Sequence, residues 1–179
     1  MDAFESVIAM LLQREGYWVY PRFKVQLTKE EKRRIGRPSA PRWELDIVAY
    51  QGAENKVLIV ECKSYIDSTG VLFQDGRLQP PRYYKLFSEP LLREVVFERL
   101  REQLVEIKAC RPNPTTQLAL ATGKIARKTD REAMKIFFES NNWILYDDKW
   151  VHEKLTDLRD TAYENDIAYV AAKLALRKP

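Results

Sequence analysis

Between Trp43 and Tyr65 the chain reads WELDIVAYQGAENKVLIVECKSY: two apolar runs, with Asp46 inside the first and Glu61-Cys62-Lys63 closing the second. Charged side chains are rarely fully buried unless they are paired or bound to a metal. A fold that uses both runs as core elements must therefore gather these charges in one place. Both runs are rich in Val, Ile, Leu and aromatic residues, and a Gly-containing turn at 51–55 separates them, so they predict a β-hairpin. Side chains alternate along a strand, which puts Glu61 and Lys63 on one face with Val57 and Ile59, and Val60 and Cys62 on the other. The turn lets Asp46 lie across from Glu61, although sequence alone leaves the register open. Oxygen donors from a few carboxylates suit Mg²⁺ or Mn²⁺ rather than zinc.

Charge is distributed unevenly. Of the formal +4, the stretch 22–42 holds eight Lys or Arg against two acids, so it carries +6 and the remainder −2. Lys29, Lys32, Arg33, Arg34, Arg37 and Arg42 thus stand immediately before the strand that carries Asp46. A basic segment beside a carboxylate cluster meets the needs of a phosphodiester substrate, attraction for the backbone and a metal at the phosphate. The competing reading is a solvated connecting loop.

Asp2 to Glu15 predicts an amphipathic helix, with Phe4, Val7, Ile8, Leu11 and Leu12 as its stripe and Asp2-x-x-Glu5 as a capping box. Residues 16–27 predict a strand that Pro21 marks as an edge or a bend. The stretch 28–42 reads as a loop with a helical turn. Residues 66–88 are broken by Gly70, Gly76, Pro80 and Pro81, and read as a loop that packs its aromatics over the core or grips a nucleic-acid strand. Next come a helix over 90–109, a buried strand over 115–123, and a helix opened by a Thr129/Glu132 capping box. A short strand at 143–146 and helices at 149–159 and 162–177 complete the chain, the last one capped by Thr161 and Glu164. This order implies an α/β (α+β) domain over 1–179 with a central mixed sheet of about five strands flanked by helices. The core is expected within 1–148 and a helical tail over 149–179, whose Tyr163, Ile167, Tyr169, Val170 and Leu174 cover the sheet or build a homodimer interface.

The pattern Asp46, fourteen intervening residues, then Glu61-x-Lys63 resembles the PD-(D/E)XK nuclease superfamily of restriction enzymes, Holliday-junction resolvases and repair nucleases. The resemblance covers roughly the first two-thirds of the chain and departs from the family in one letter, Leu45 standing where Pro precedes the Asp. It implies a restriction-endonuclease-like core in which Asp46 and Glu61, with the Cys62 backbone carbonyl, bind Mg²⁺ (or Mn²⁺). Lys63 would assist the attacking water. Glu5 matches the family's first-helix acid, and Gln103 its occasional glutamine on the helix after the motif strand; both also have plain structural readings, as a cap and a helix-surface amide. The expected function is a metal-dependent endonuclease acting on nucleic acid, DNA foremost. The alternatives are a non-catalytic nucleic-acid-binding or assembly subunit that keeps the fold, and, for the three charged residues themselves, a buried ion-pair network.

Other classes find little support. Two cysteines without CxxC spacing and a single histidine, His152, argue against a disulfide framework, a zinc site and a serine-type triad. A small-molecule phosphohydrolase lacks its Gly-rich phosphate loop. With no membrane-length apolar run and no basic-then-apolar N-terminus, a cytoplasmic protein is expected.

Overall fold

Residues 2–162 and 164–176 are described by the computed structural model. In chain order the elements are α1 (Ala3–Arg14), β1 (Trp18–Val25), α2 (Lys29–Arg34), β2 (Trp43–Gln51), β3 (Lys56–Lys63), β4 (Leu72–Gln74) and β5 (Arg77–Gln79). After a 3-10 turn (Pro81–Tyr83) come α3 (Lys85–Ser88), α4 (Pro90–Glu106), β6 (Thr115–Thr122), α5 (Asp130–Ser140), β7 (Ile144–Tyr146), α6 (Asp148–Asp157), a second 3-10 turn (Leu158–Asp160) and α7 (Ile167–Leu176).

The two apolar runs pair as expected, β2 antiparallel to β3. β1 adds antiparallel to β2, while β6 and β7 add parallel beyond β3, giving the mixed order β1-β2-β3-β6-β7. Pro21 does lie on an edge strand, where its missing N–H interrupts no ladder. β6 lies inside the sheet between β3 and β7, and Leu118 to Thr122 are all buried, so both of its faces are covered. Helices cover both sides. α4 and α5 pack Leu100, Met134 and Phe138 against Val48, Ile59 and Leu118. On the opposite face, α1 and the tail pack Ile8, Leu12 and Tyr169 against Ile47, Leu58 and Ala119.

α1 begins where its cap chemistry dictates: the Glu5 N–H donates to Asp2 Oδ1 (2.8 Å) and the Asp2 N–H to Glu5 Oε2 (3.1 Å). Three local expectations are corrected. Residues 66–88 hold a small hairpin, β4–β5, turning at Asp75 and Gly76, which both have positive φ, as an Asp-Gly turn requires. Its aromatics do pack over the core, Phe73, Tyr84 and Phe87 being buried. The Thr129 box does not form: Thr129 is already helical (φ −64, ψ −25) and its side chain makes no cap bond, while Asp130 pairs with Arg127. The last helix starts at Ile167, later than the Thr161/Glu164 pair, and Asp166 Oδ1 accepts the Ala168 N–H instead. Of the tail stripe, Tyr169 is buried and Ile167 and Leu174 are exposed; Tyr163 and Arg177 lie outside the described residues.

Beyond β3 the chain turns at Tyr65, in left-handed conformation, and crosses the ends of β3 and β6. Two glycines let it pass close. The Gly123 N–H donates to Lys63 O (3.1 Å), and a Cβ built on Gly123 would stand 2.3 Å from Ser64 O. One on Gly70 would meet Ala126 N at 2.9 Å. Gly123→Ala should therefore force the 64–70 loop away from β6 and lower the unfolding free energy by about 1–3 kcal/mol, read from urea titrations of the two proteins.

Candidate active site

The β2–β3 ladder ends at Ile47↔Val60, so Asp46 and Glu61 are the first residues beyond its last rung. The β1–β2 ladder skips the same level: Pro21 pairs with Ile47 and Phe23 with Leu45, leaving Arg22 and Asp46 out. Arg22 has φ +53, a left-handed backbone within a strand. The alternation of faces breaks there. Leu45 and Phe23 enter the core under α4, whereas Ile47 and Ala49 enter the core under α1. Irregularities of this kind re-aim a side chain and terminate pairing. Asp46 is the one re-aimed: the Cys62 N–H donates to its Oδ2 (2.7 Å), so the carboxylate turns toward β3.

Glu61 and Lys63 share a face, as strand alternation requires, and the Lys63 ammonium donates to Glu61 Oε1 (2.7 Å). Their side chains are only 22% and 20% exposed. Burial, and then the Glu61 charge, push the Asp46 carboxyl up to about 6, against the Cys62 N–H and Lys63, which lower it. Burial draws the Lys63 ammonium down, but its bond to Glu61 and the charge of Asp46 outweigh this and leave it raised. Burial raises Glu5 as well, its cap bond from Asp2 opposing, with Asp2 and Asp46 adding to the rise. The Cys62 thiol, on the other face, is driven up by burial and then by Asp46, Glu5 and Glu61. These acids therefore feel one another across the start of α1 and the ends of β2 and β3. A cleft of about 560 Å³ opens between Asp2 and Phe4 at the start of α1 and the 64–68 loop; Asp46, Glu61 and Lys63 are not among its lining residues.

Among the described residues no group of three His, Cys, Asp or Glu side chains is arranged to hold a metal. Mg²⁺ needs fewer, since it keeps several waters and is commonly held by one or two carboxylates. The all-oxygen chemistry fits such an ion. In extended backbone a residue's N–H and C=O point the same way, so the Cys62 carbonyl faces the β2 side, where Asp46 takes its N–H beyond the end of the ladder. Glu5 stays in its cap bond, near enough to feel Asp46.

Gln103 does not join the cluster: its Oε1 accepts the Gln26 N–H (2.8 Å), fastening α4 to the end of β1. The expected loop at 28–42 contains α2, held by its own Thr28/Glu31 capping box. Arg34 pairs with Glu94 and Glu98, and Arg37 with Glu89, so these two cations bind α2 and its following turn to α4. Lys29, Lys32, Arg33 and Arg42 form no ion pair among the described residues. Sequence reasoning missed Asp2, visible only as a cap, and Tyr84, a buried phenol raised by burial and then by Tyr65 and Glu61. It also missed the Arg22 irregularity, for which Pro21 was the only local signal.

No protein-family model, curated protein or solved structure matches this chain. The class the coordinates themselves define is a mixed-sheet α/β protein with a half-buried carboxylate pair and a lysine at the strand ends. Among the described residues no helix is long and apolar enough to cross a membrane.

Because the native Asp46 carboxyl titrates above its ordinary 3.8, the native state holds that proton more tightly than the unfolded chain. The group's contribution to stability is therefore present at low pH and lost as pH rises from about 4 to about 6. Asp46→Asn keeps an oxygen for the Cys62 N–H and removes the charge. It should stabilise the apo protein by about 1–3 kcal/mol at pH 8, a gain that disappears below about pH 4 in paired urea titrations.

Proposed function

We propose that this chain is a metal-dependent endonuclease hydrolysing phosphodiester bonds of nucleic acid, DNA foremost. The observation that carries the reading is the bond from the Cys62 N–H that turns the Asp46 carboxylate toward the end of β3, where Lys63 is bonded to Glu61. Burial, and then repulsion from the Glu61 carboxylate, raises Asp46. A divalent cation relieves that repulsion. When bound, Mg²⁺ or Mn²⁺ polarises the phosphate and lowers the pKa of a coordinated water.

The residues then divide the work. Asp46, Glu61 and the Cys62 carbonyl supply oxygen ligands. Lys63, held by Glu61 on the same face, orients the attacking water and faces the charge that develops on the phosphate. Exposed Lys29, Arg33 and Arg42, with half-buried Lys32, none of them ion-paired among the described residues, attract flanking phosphates.

One observation favours the non-catalytic reading. Asp46 accepts the Cys62 N–H and Glu61 pairs with Lys63, so each charge already has a partner without a ligand. A panel of labelled linear, branched and single-stranded nucleic acids in Mg²⁺ and Mn²⁺ separates the two. The nuclease reading expects turnover by the wild type, a loss of about a hundredfold or more in Asp46→Ala and Lys63→Ala, and native circular dichroism in both. Millimolar Mg²⁺ should also raise the melting temperature of the wild type and leave that of Asp46→Ala unmoved. Salt-sensitive binding with no turnover in either metal would assign the chain to the non-catalytic class.

A further inference from the structure

Residues 76–88 carry three cations, Arg77, Arg82 and Lys85, and no acid. None of the three forms an ion pair among the described residues. A pocket of about 300 Å³ opens in this segment, lined by Arg77, Leu78, Pro81, Tyr84, Phe87 and, from α5, Phe137. Its walls are aromatic and aliphatic, with one guanidinium among them. Phe73, Phe138 and Trp143 back Phe87 and Phe137 at ring separations of 5.2 to 5.9 Å, so packing against α5 and the start of β7 fixes the walls. Two contacts tie the segment to the Asp46 cluster. The Tyr84 phenol is close enough to Glu61 and Tyr65 to feel both. Lys85 Nζ lies 6.0 Å from the ring centre of Trp43, the first residue of the strand that carries Asp46.

We infer that this pocket takes one unpaired base of a nucleic-acid strand whose adjoining phosphates Arg77 and Arg82 hold, an inference that rests on the nucleic-acid reading above. Bases out of the stack are read by aromatic and apolar side chains in a snug pocket. At about 300 Å³ the cavity stands at the small end of ligand pockets, with room for one planar ring system and none for a helix. Charge complementarity selects the occupant. An apolar peptide side chain would suit the aromatic walls but leave the three cations unanswered, whereas a nucleotide brings base and phosphate together. Beside the pocket, the Arg82 guanidinium lies 4.9 Å over the ring of exposed Tyr83, a cation and an aromatic face of the kind that grip a strand. A paired duplex keeps its base faces stacked and out of reach, whereas a single strand or a bulge offers them. The substrate class is therefore nucleic acid with at least one base outside the stack.

Fluorescence anisotropy in EDTA reads binding without cleavage, using labelled oligo(dT) of about twenty nucleotides, a paired duplex of that length, and the same duplex with one central bulged base. The wild type should bind the single strand and the bulged duplex about tenfold more tightly than the paired duplex. Ser88 lines the pocket and is exposed, so Ser88→Phe fills it and should erase that preference while leaving paired-duplex affinity unchanged. Ser88→Ala gives up the same hydroxyl bonds, to Pro81 O (3.2 Å) and Tyr84 O (3.1 Å), but leaves the pocket open, and should bind as the wild type does. Arg77→Ala should weaken single-strand binding and flatten its salt dependence. Should Ser88→Phe melt early, NMR titration of the wild type with thymidine monophosphate carries the test, with shifts expected at the amides of the 77–88 segment and Phe137. Equal affinity for paired and unpaired probes, an unchanged preference in folded Ser88→Phe, or no such shifts overturns the inference and leaves the nuclease reading standing. A wild type that binds none of the three probes overturns both. Self-association of the wild type that Ser88→Phe abolishes also overturns the inference, assigning the pocket to a side chain of a second copy.

Discussion

The hydrogen bond from the Cys62 N–H to the Asp46 carboxylate organises the upper end of the sheet. It follows the last rung of the β2–β3 ladder, Ile47↔Val60, and holds the Asp46 carboxylate at the end of β3. A main-chain donor can hold a carboxylate in place, but it does not cancel its charge. Burial and the nearby Glu61 leave Asp46 with a raised pKa, and Lys63 answers only part of the negative potential. Burial and the neighbouring acid both disfavour the charged form of Asp46 at this half-buried strand end.

The surrounding structure keeps this end open. The loop after β3 is strapped across β6 by close backbone approaches at Gly70 and Gly123, which leaves the cleft on the α1 side. α1 contributes its cap there, so the Asp2 and Glu5 carboxylates fall near Asp46 as a by-product of starting the helix. On the other face of the sheet the positive segment divides its labour. Arg34 and Arg37 dock α2 and its following turn on the acids of α4, and Glu31 of α2 meets Arg99 in return. Lys29, Arg33 and Arg42 are exposed and form no ion pair among the described residues.

Much of this was readable from residue order because it rests on local chemistry. Apolar runs with alternating faces became β2 and β3, Asp2-x-x-Glu5 became a capped helix, and Pro21 marked an edge. Local reading failed where the same letters serve two geometries. Thr129 and Glu132 have the spacing of a capping box, yet Thr129 is already helical and the start of α5 is tied down by the Arg127–Asp130 pair. Gln103 sits on the expected helix but turns to the backbone of Gln26, a partner 77 residues away in sequence. Arg34 and Arg37 read as free cations until α4, carrying Glu89 and Glu94, folds against them.

Sequence by itself determined which residues form strands and helices, which faces of them are apolar, and that Asp46, Glu61 and Lys63 had to meet or be neutralised. Those are consequences of side-chain period, turn chemistry and the cost of burying charge, all set within short stretches of chain. Tertiary structure alone decided the β2–β3 register, the re-aiming of Asp46 at the level of Arg22, and the choice of cations left without acids. Each depends on a partner strand or helix distant in sequence, and a ladder slipped by one residue would have turned the same side chains to the opposite face.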